Sequence, residues 1–114
     1  MKPRVLEKDI QRAICEWLAK GDFFFWRSNN IPVFGASNDG VKRFRALPKF
    51  TPRGIPDIMV IKNGDFYALE VKRPGAVLRP EQMEFRDKVT QHGAFYYMVT
   101  SVSDVEEIFS GSNL

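Results

Sequence analysis

The sequence predicts an α/β domain in which a mixed β-sheet is flanked by helices, and three patterns support this fold class. An amphipathic helical pattern opens the chain, two strand patterns joined by a hairpin turn signal lie in its middle, and a helical pattern separates the second of these strands from a later one. A helix between two strands is typical of a crossover, so those two strands are expected to run parallel. The predicted order of elements is αβββαβα.

The first half of the chain is predicted from hydrophobic periodicity and from stop signals. Apolar residues recur on one helical stripe from 5 to 20, and Gly21 ends this helix. The aromatic run 23–26 is interpreted as a strand buried on both faces, or as a run covered by a partner subunit. Residues 29–54 form a long connection rich in Gly, Pro, Asn and Arg. So long a connection is uncommon in a compact domain unless it has a function.

The second half begins with a hairpin. Residues 56–61 and 66–72 have strand patterns, and the Lys-Asn-Gly-Asp sequence at 62–65 is typical of a two-residue hairpin turn. The two strands are therefore expected to pair in antiparallel register.

Two helices and one strand are predicted after the hairpin. Pro80 suits the first turn of a helix that runs to about His92. Residues 94–100 form an apolar strand, whose aromatic residues are interpreted as core. The sequence Ser-Asp-Val-Glu at 103–106 is a capping box that opens a short final helix.

Composition limits the class of protein. The chain has 114 residues and one cysteine, which excludes an internal disulfide and a cysteine-type zinc site. No apolar run reaches the roughly 18 residues that span a bilayer, and no signal peptide pattern is present. We therefore expect a single domain over residues 1–114, a cytoplasmic location, and neither a membrane nor an organic cofactor as a partner.

Positive charge is concentrated in the long connection. Between Gly40 and Gly54, Phe44 and Phe50 are interleaved with five basic residues and no acidic ones, and without these five the net charge of +3 would be −2. Such a mixture is typical of nucleic-acid contact, although a solvated loop remains the alternative. The basic residues are Lys42, Arg43, Arg45, Lys49 and Arg53.

Polar side chains also occupy positions where the pattern predicts core. Glu7 lies at the edge of the apolar stripe of the first helix and is expected to face inward. Asp57 begins one hairpin strand and Glu70 lies near the end of the other, so the hairpin brings them to the same end. Lys72 shares a strand face with Glu70, and Gln82 is the polar member of the buried stripe of the second helix.

Three carboxylates near one point repel each other, and one lysine does not neutralise them. Either their pKa values are raised, or they bind a divalent cation with hard oxygen ligands such as Mg²⁺. Each residue also has a structural alternative: Glu7 as first-turn charge, Asp57 as a turn residue, Glu70 with Lys72 as a solvated strand face, and Gln82 as a cap or backbone bridge.

These residues resemble a known family. Pro56-Asp57, followed after twelve residues by Glu70-Val71-Lys72, is similar to the PD-(D/E)xK nuclease signature. Further motifs resemble the VRR-NUC domain, the virus-type replication and repair nuclease module found alone in phages and bacteria and at the C-terminus of the Fanconi-associated nuclease. They are Glu7-x-x-Ile10-Gln11, Gly54-x-Pro56-Asp57, Glu70-Val71-Lys72 followed by Pro74, and Leu78-x-x-x-Gln82, and the resemblance covers residues 5–105.

The resemblance implies a restriction-endonuclease-like core and hydrolysis of DNA phosphodiesters to 5′-phosphate products. It implies that Mg²⁺ or Mn²⁺ is bound by Asp57, Glu70 and the backbone carbonyl of Val71, with Glu7 acting directly or through water. It also implies that Lys72 positions the attacking water and offsets phosphate charge, and that Gln82 orients the site. The DNA-binding set is then the basic residues of the long connection together with Arg73 and Arg79.

The resemblance also suggests the partners. Stand-alone members of the family resemble Holliday-junction resolvases that work as homodimers, so a four-way junction and a C2 homodimer are the first expectation. Flap- or nick-directed cleavage at the same site, and a non-catalytic DNA-binding module, are the alternatives. Candidate dimer surfaces are residues 23–26 and 31–34, which are equally consistent with core or loop anchors.

Overall fold

A computed structural model describes residues 5–28, 34–36, 42–44 and 48–110. Each predicted helix and strand is present, with bounds that differ from prediction by at most two residues. The elements are α1 (Glu7–Lys20), β1 (Phe24–Arg27), β2 (Phe34–Ala36), β3 (Lys42–Phe44), β4 (Ile58–Lys62), β5 (Asp65–Val71), α2 (Pro80–Gln91), β6 (Phe95–Val99) and α3 (Val102–Ser110).

Four strands form the principal sheet, in the order β1-β4-β5-β6. Strand β4 pairs antiparallel with both β1 and β5, whereas β6 runs parallel to β5. Helix α2 is the crossover between the two parallel strands, because a parallel connection cannot be made by a tight turn. The mixed sheet with a parallel final pair confirms the predicted fold class.

The turn between β4 and β5 fixes the register of the hairpin. Lys62 pairs with Asp65, and the two residues between them have positive φ, 53° at Asn63 and 84° at Gly64. Positive φ at both central positions is typical of the type I′ turn that Asn-Gly favours. The predicted hairpin is confirmed, and its register determines which residues meet at its other end.

One side of the sheet, which we call the core face, packs against α1 and α3. Ile10, Ile14 and Leu18 of α1 are buried at intervals of four residues, and Val105 contributes from α3. These side chains cover an apolar surface because every second residue of a strand points to the same side. The buried strand residues of the core face are Ile58, Val60, Tyr67, Leu69, Val71 and Val99.

The prediction that the aromatic run is buried on both faces is wrong. Phe24 is 67% exposed and Trp26 is 39% exposed, whereas Phe25 is half-buried against the core. Strand β1 pairs only with β4 in the principal sheet, and α1 and α3 cover the core face alone. Phe23, which precedes the strand, packs against Trp17 with ring centroids 5.3 Å apart.

The long connection contains two short strands that the sequence pattern did not predict. Strands β2 and β3 pair antiparallel in a separate two-stranded sheet. Strands of three residues are too short to show a recognisable alternation. Of the connection's five basic residues, Lys42 and Arg43 lie in β3, whereas Arg45 falls outside the described residues, as do residues 31–33 of the second candidate dimer surface.

Helix α3 is capped differently from the prediction. The Ser101 hydroxyl accepts a hydrogen bond from Asp104 N–H at 3.1 Å, and the Asp104 carboxylate accepts one from Thr100 N–H at 2.8 Å. The predicted box at 103–106 is therefore wrong by two residues, because β6 ends at Val99 and its short connection makes Ser101 the N-cap.

Within the described ranges, no helix combines the length and apolar character needed to cross a membrane.

Candidate active site

Asp57 and Glu70 lie opposite each other, one position beyond the last paired residues of the hairpin. The register pairs Ile58 with Leu69, so positions 57 and 70 are the next rung. Asp57 Oδ2 accepts a hydrogen bond from Val71 N–H at 2.8 Å, which ties the side chain of one strand to the backbone of the other. Two carboxyl groups are thereby held together at the end of the hairpin opposite its turn.

The carboxyl group of Glu70 is strongly perturbed by its surroundings. The residue is 3% exposed, and Oε1 has no hydrogen-bond partner among the described residues. Burial raises the pKa of Glu70 to about 9, with further upward contributions from the charge and hydrogen bond of Asp57 and from the charge of Glu7, against a downward contribution from Lys72. The fold alone therefore keeps this carboxyl group protonated at neutral pH.

Lys72 lies beside Glu70. The two residues are two positions apart, and both are buried, at 5% and 3% exposure. Val71 between them is fully buried in the core face. Lys72 N–H donates to the Val99 carbonyl at 2.9 Å, so β6 fixes the backbone that carries the ammonium group. We call the side of the sheet that carries Glu70 the site face.

Glu7 is exposed, so the prediction that it faces inward is wrong. It is the first residue of α1, and no preceding helical turn covers it. Its charge nevertheless contributes to the raised pKa of Glu70, which places Glu7 within electrostatic range of the site. An exposed carboxylate suits a role through water better than direct ligation among the buried groups.

Gln82 is buried at the start of α2, and its side chain has a structural task. Gln82 Oε1 accepts a hydrogen bond from Arg79 N–H at 2.8 Å, which caps the helix. Gly54 holds this helix end close to the site: its φ is +74°, and a Cβ there would overlap the backbone carbonyl of Glu81. The glycine of the Gly-Ile-Pro-Asp sequence is thus needed for backbone approach.

The donors at the site fit a small, hard divalent cation. Val71 N–H points towards Asp57, and the carbonyl of an extended residue points to the same side as its N–H. The available oxygens are therefore two carboxylates and one backbone carbonyl, and the orphaned Glu70 Oε1 is buried among them. Over the described residues, no group of three or more His, Cys, Asp or Glu side chains is arranged to hold a metal. Two carboxylates suffice for Mg²⁺, which keeps waters and accepts substrate oxygens.

Three of the basic candidates with described side chains, Arg53, Arg73 and Arg79, lie on the segments that carry the site. Arg53 immediately precedes Gly54 and is exposed, as is Arg79 at the N-terminus of α2. Lys49 is also exposed, with its ammonium nitrogen 5.2 Å from the centroid of the Phe50 ring, whereas Arg73 is half-buried after Lys72. For Lys42 and Arg43 the structure describes the backbone only.

Sequence reasoning assigned Tyr96 to the core and missed its relation to the site. Tyr96 pairs with Ala68 and Met98 pairs with Glu70, so Tyr96 lies on the site face. Its ring packs near Phe85 of α2, with centroids 6.4 Å apart. The alternation of β6 separates Tyr96 from Tyr97. Only the parallel register with β5 shows that Tyr96 is on the same face as Glu70.

A comparison with models of protein families identifies the family of this chain. The family model of the VRR-NUC domain matches residues 7–103. This chain belongs to the VRR-NUC domain family. The match contains each candidate carboxylate, Lys72 and Gln82, and it spans all the elements of the principal sheet.

A solved structure supports the fold of this VRR-NUC chain. It is described as a VRR_NUC domain and superposes with a TM-score of 0.64 at 18% identity, covering 93% of this chain and 96% of the other. A comparison with curated proteins found no match. Family membership makes the chain a member of a nuclease superfamily whose substrate is DNA and whose members generally depend on divalent metals.

Proposed function

We propose that this VRR-NUC chain is a Mg²⁺- or Mn²⁺-dependent, structure-selective DNA endonuclease that resolves four-way junctions as a homodimer. The observation that carries the proposal is that Asp57 and Glu70 lie opposite each other just beyond the last paired residues of the hairpin, with Lys72 buried beside Glu70. Two neighbouring carboxyl groups and one ammonium group suit the binding of a cation and a phosphate together.

The cation would be held by Asp57, Glu70 and the carbonyl of Val71, with Glu7 reaching it through water. When bound, such a cation lowers the pKa of water and offsets charge on the phosphodiester. Glu70 would be ionised in such a site, because an opposite charge nearby lowers a carboxyl pKa, and it would then serve as an anionic ligand.

Lys72 supplies a positive charge at the site in addition to that of the cation. Its ammonium group is buried, so its electrostatic effect on a phosphate is screened less than that of a surface lysine. In the proposed reaction a water oxygen attacks the phosphorus in line with the 3′ oxygen, and Lys72 orients this water and stabilises the developing charge. The P–O3′ bond breaks as the attacking water loses one proton to solvent and the departing O3′ takes one proton from solvent, which gives a 5′-phosphate and a 3′-hydroxyl.

The DNA path is proposed to follow the basic residues that surround the site. Arg53 and Arg79 are exposed on two segments that meet where Gly54 contacts the N-terminus of α2. Arg73 follows Lys72 directly and lies beside Val5 and Pro74 in an open cleft. Lys42, Arg43, Arg45 and Lys49 complete the proposed DNA-binding set, as phosphate contacts that position the duplex arms.

The homodimer is supported by the exposed aromatic surface of β1. Phe24 and Trp26 lie 5.6 Å apart between ring centroids, and both are exposed on a strand at the edge of the principal sheet. Exposed aromatic side chains on an edge strand are typical of surfaces that associate. A C2 dimer would supply the two active sites that paired incision of a four-way junction needs.

The test is cleavage of a panel of labelled four-way junctions, flaps, nicked duplexes and plain duplexes, with Mg²⁺ or Mn²⁺ titrated from zero. We expect symmetric paired nicks in the junction, no cleavage in EDTA, and 5′-phosphate ends. Glu70→Gln should abolish cleavage while leaving junction binding intact. The matched control is Glu106→Gln, an exposed glutamate on α3 that should cleave like the parent protein.

The outcomes separate the alternatives. Cleavage confined to flaps or nicks would keep the metal-dependent site and overturn the resolvase. Binding without cleavage at any metal concentration would favour the DNA-binding module, and cleavage retained by Glu70→Gln would overturn the proposed site altogether.

A further inference from the structure

Two buried polar atoms on the site face have no hydrogen-bond partner among the described residues, Glu70 Oε1 and Tyr96 Oη. Buried polar atoms are nearly always hydrogen-bonded, so each such exception requires an explanation. Here the two exceptions occur together at one site, which points to a shared cause.

The sheet register places these residues next to each other. Ala68 pairs with Tyr96 and Glu70 pairs with Met98, so Tyr96 and Glu70 are diagonal neighbours on the site face of two parallel strands. Neighbouring strands lie about 4.8 Å apart and two residues rise about 6.6 Å, so diagonal neighbours are roughly 8 Å apart, within reach of an aromatic side chain.

The protonation state of the Tyr96 hydroxyl is set by its surroundings. Burial, then the charges of Glu70 and Asp57, raise the pKa of Tyr96 well above its ordinary value, although Arg86 acts in the opposite direction. The hydroxyl therefore remains protonated at any pH at which a nuclease works, and it is available as a hydrogen-bond donor to an anionic or water oxygen.

Packing alone does not account for the hydroxyl. The ring of Tyr96 already contacts the Phe85 ring, and a phenylalanine would make the same contact without burying an unpaired oxygen. A residue that retains a destabilising polar atom beside a perturbed carboxyl group is better explained by the site than by the core.

We propose that Tyr96 is a positioning residue for the metal-binding site, and that its hydroxyl donates through a bridging water to Glu70 Oε1 and fixes the orientation of this carboxylate. The inference rests on the proposed metal-dependent function. Carboxylate ligands are generally oriented by such outer hydrogen bonds, and losing one typically weakens metal binding or activity by about 10- to 100-fold.

The test compares Tyr96→Phe with Tyr97→Phe, its neighbour on the opposite face of β6. Direct titration with Mn²⁺, followed by calorimetry or by electron paramagnetic resonance, should show binding weakened about 10-fold or more by Tyr96→Phe and unchanged by Tyr97→Phe. Without metal, Tyr96→Phe should melt at the parent temperature or above it, and with Mn²⁺ its melting temperature should rise less than that of the parent. High Mn²⁺ concentrations should restore its cleavage.

Each result bears on one proposal or on both. Equal Mn²⁺ affinity in the parent and in Tyr96→Phe would overturn the inference and leave the metal-dependent nuclease in place. A lower melting temperature of Tyr96→Phe with unchanged Mn²⁺ affinity would make Tyr96 a packing residue only. A parent protein that binds no Mn²⁺ would overturn both the inference and the proposed metal dependence.

Discussion

The two faces of the principal sheet bury side chains of opposite chemistry, apolar on the core face and ionisable on the site face, although they share the same strands. On the core face, Leu69 and Val71 are fully buried among aliphatic side chains of α1 and α3. On the site face, Glu70 and Lys72 are nearly as buried but carry ionisable groups, and Glu70 Oε1 is unpaired within the described residues. Consecutive residues from Leu69 to Lys72 are thus similarly buried but alternate between apolar and ionisable side chains.

This difference shows that the core face stabilises the fold and that the site face destabilises it. Aliphatic burial on the core face is favourable for folding. Burying a carboxyl group beside another carboxyl group and a lysine is unfavourable unless a cation or substrate completes the set. The apolar core face therefore stabilises a fold whose site face buries ionisable groups at a cost when no ligand is bound. Exceptions of this kind to the usual burial of apolar residues are expected at functional sites.

The largest expected effect is on the stability of the core face. Leu69→Ala should lower the free energy of unfolding by about 2–5 kcal/mol, because it leaves a cavity in a fully buried cluster. Ile61→Ala, on the site face and 37% exposed, should cost less than about 1.5 kcal/mol. Urea denaturation of both variants measures the contrast. Equal costs would mean that the two faces are packed alike and that the comparison is wrong.

An intermediate effect is expected from the titration of Glu70 in metal-free protein. Its pKa is raised from 4.5 to about 9, so between these values the folded protein keeps a proton that the unfolded chain releases. Stability is therefore greatest below pH 4.5 for this group, and falls as the pH rises towards 9, with a limiting slope of about 1.4 kcal/mol per pH unit. Urea midpoints in EDTA from pH 5 to pH 8 measure it.

The matched variants make this pH prediction specific. Glu70→Gln should flatten the slope and be more stable than the parent protein at pH 8, because glutamine is neutral in both states and needs no proton uptake on folding. Glu106→Gln, exposed on α3, should keep the parent slope. A parent slope that persists in Glu70→Gln would assign the titration to another group.

The contrast between the faces also explains what the sequence could and could not predict. The hairpin was predictable because Asn63-Gly64 specifies its turn, and the turn then sets every pairing up to the rung of Asp57 and Glu70. The parallel pair was predictable because a helix must connect it. These are local rules or direct consequences of chain connectivity.

What the sequence did not show depends on tertiary context. The exposure of Trp26 follows from the edge position of β1, and that of Glu7 from its place at the helix start, and neither is encoded in hydrophobic periodicity. Tyr96 resembled its aromatic neighbours until the register with β5 assigned it to the site face. Gly54 is part of a recognisable motif, yet its contact with α2 is visible only in the folded chain.

The smallest expected effect concerns the face along which DNA lies. Arg53→Gln and Arg79→Gln should each lower the slope of log affinity against log salt by about 0.9, if each arginine contacts one phosphate. Binding to a four-way junction is measured in the cleavage-deficient Glu70→Gln background from 50 to 200 mM salt. The control is Arg12→Gln, since Arg12 is an exposed arginine on α1, the helix that covers the core face, and should leave the slope unchanged. A slope lowered by Arg12→Gln but not by the other two would place the DNA against the helical side and reverse the roles assigned to the two faces.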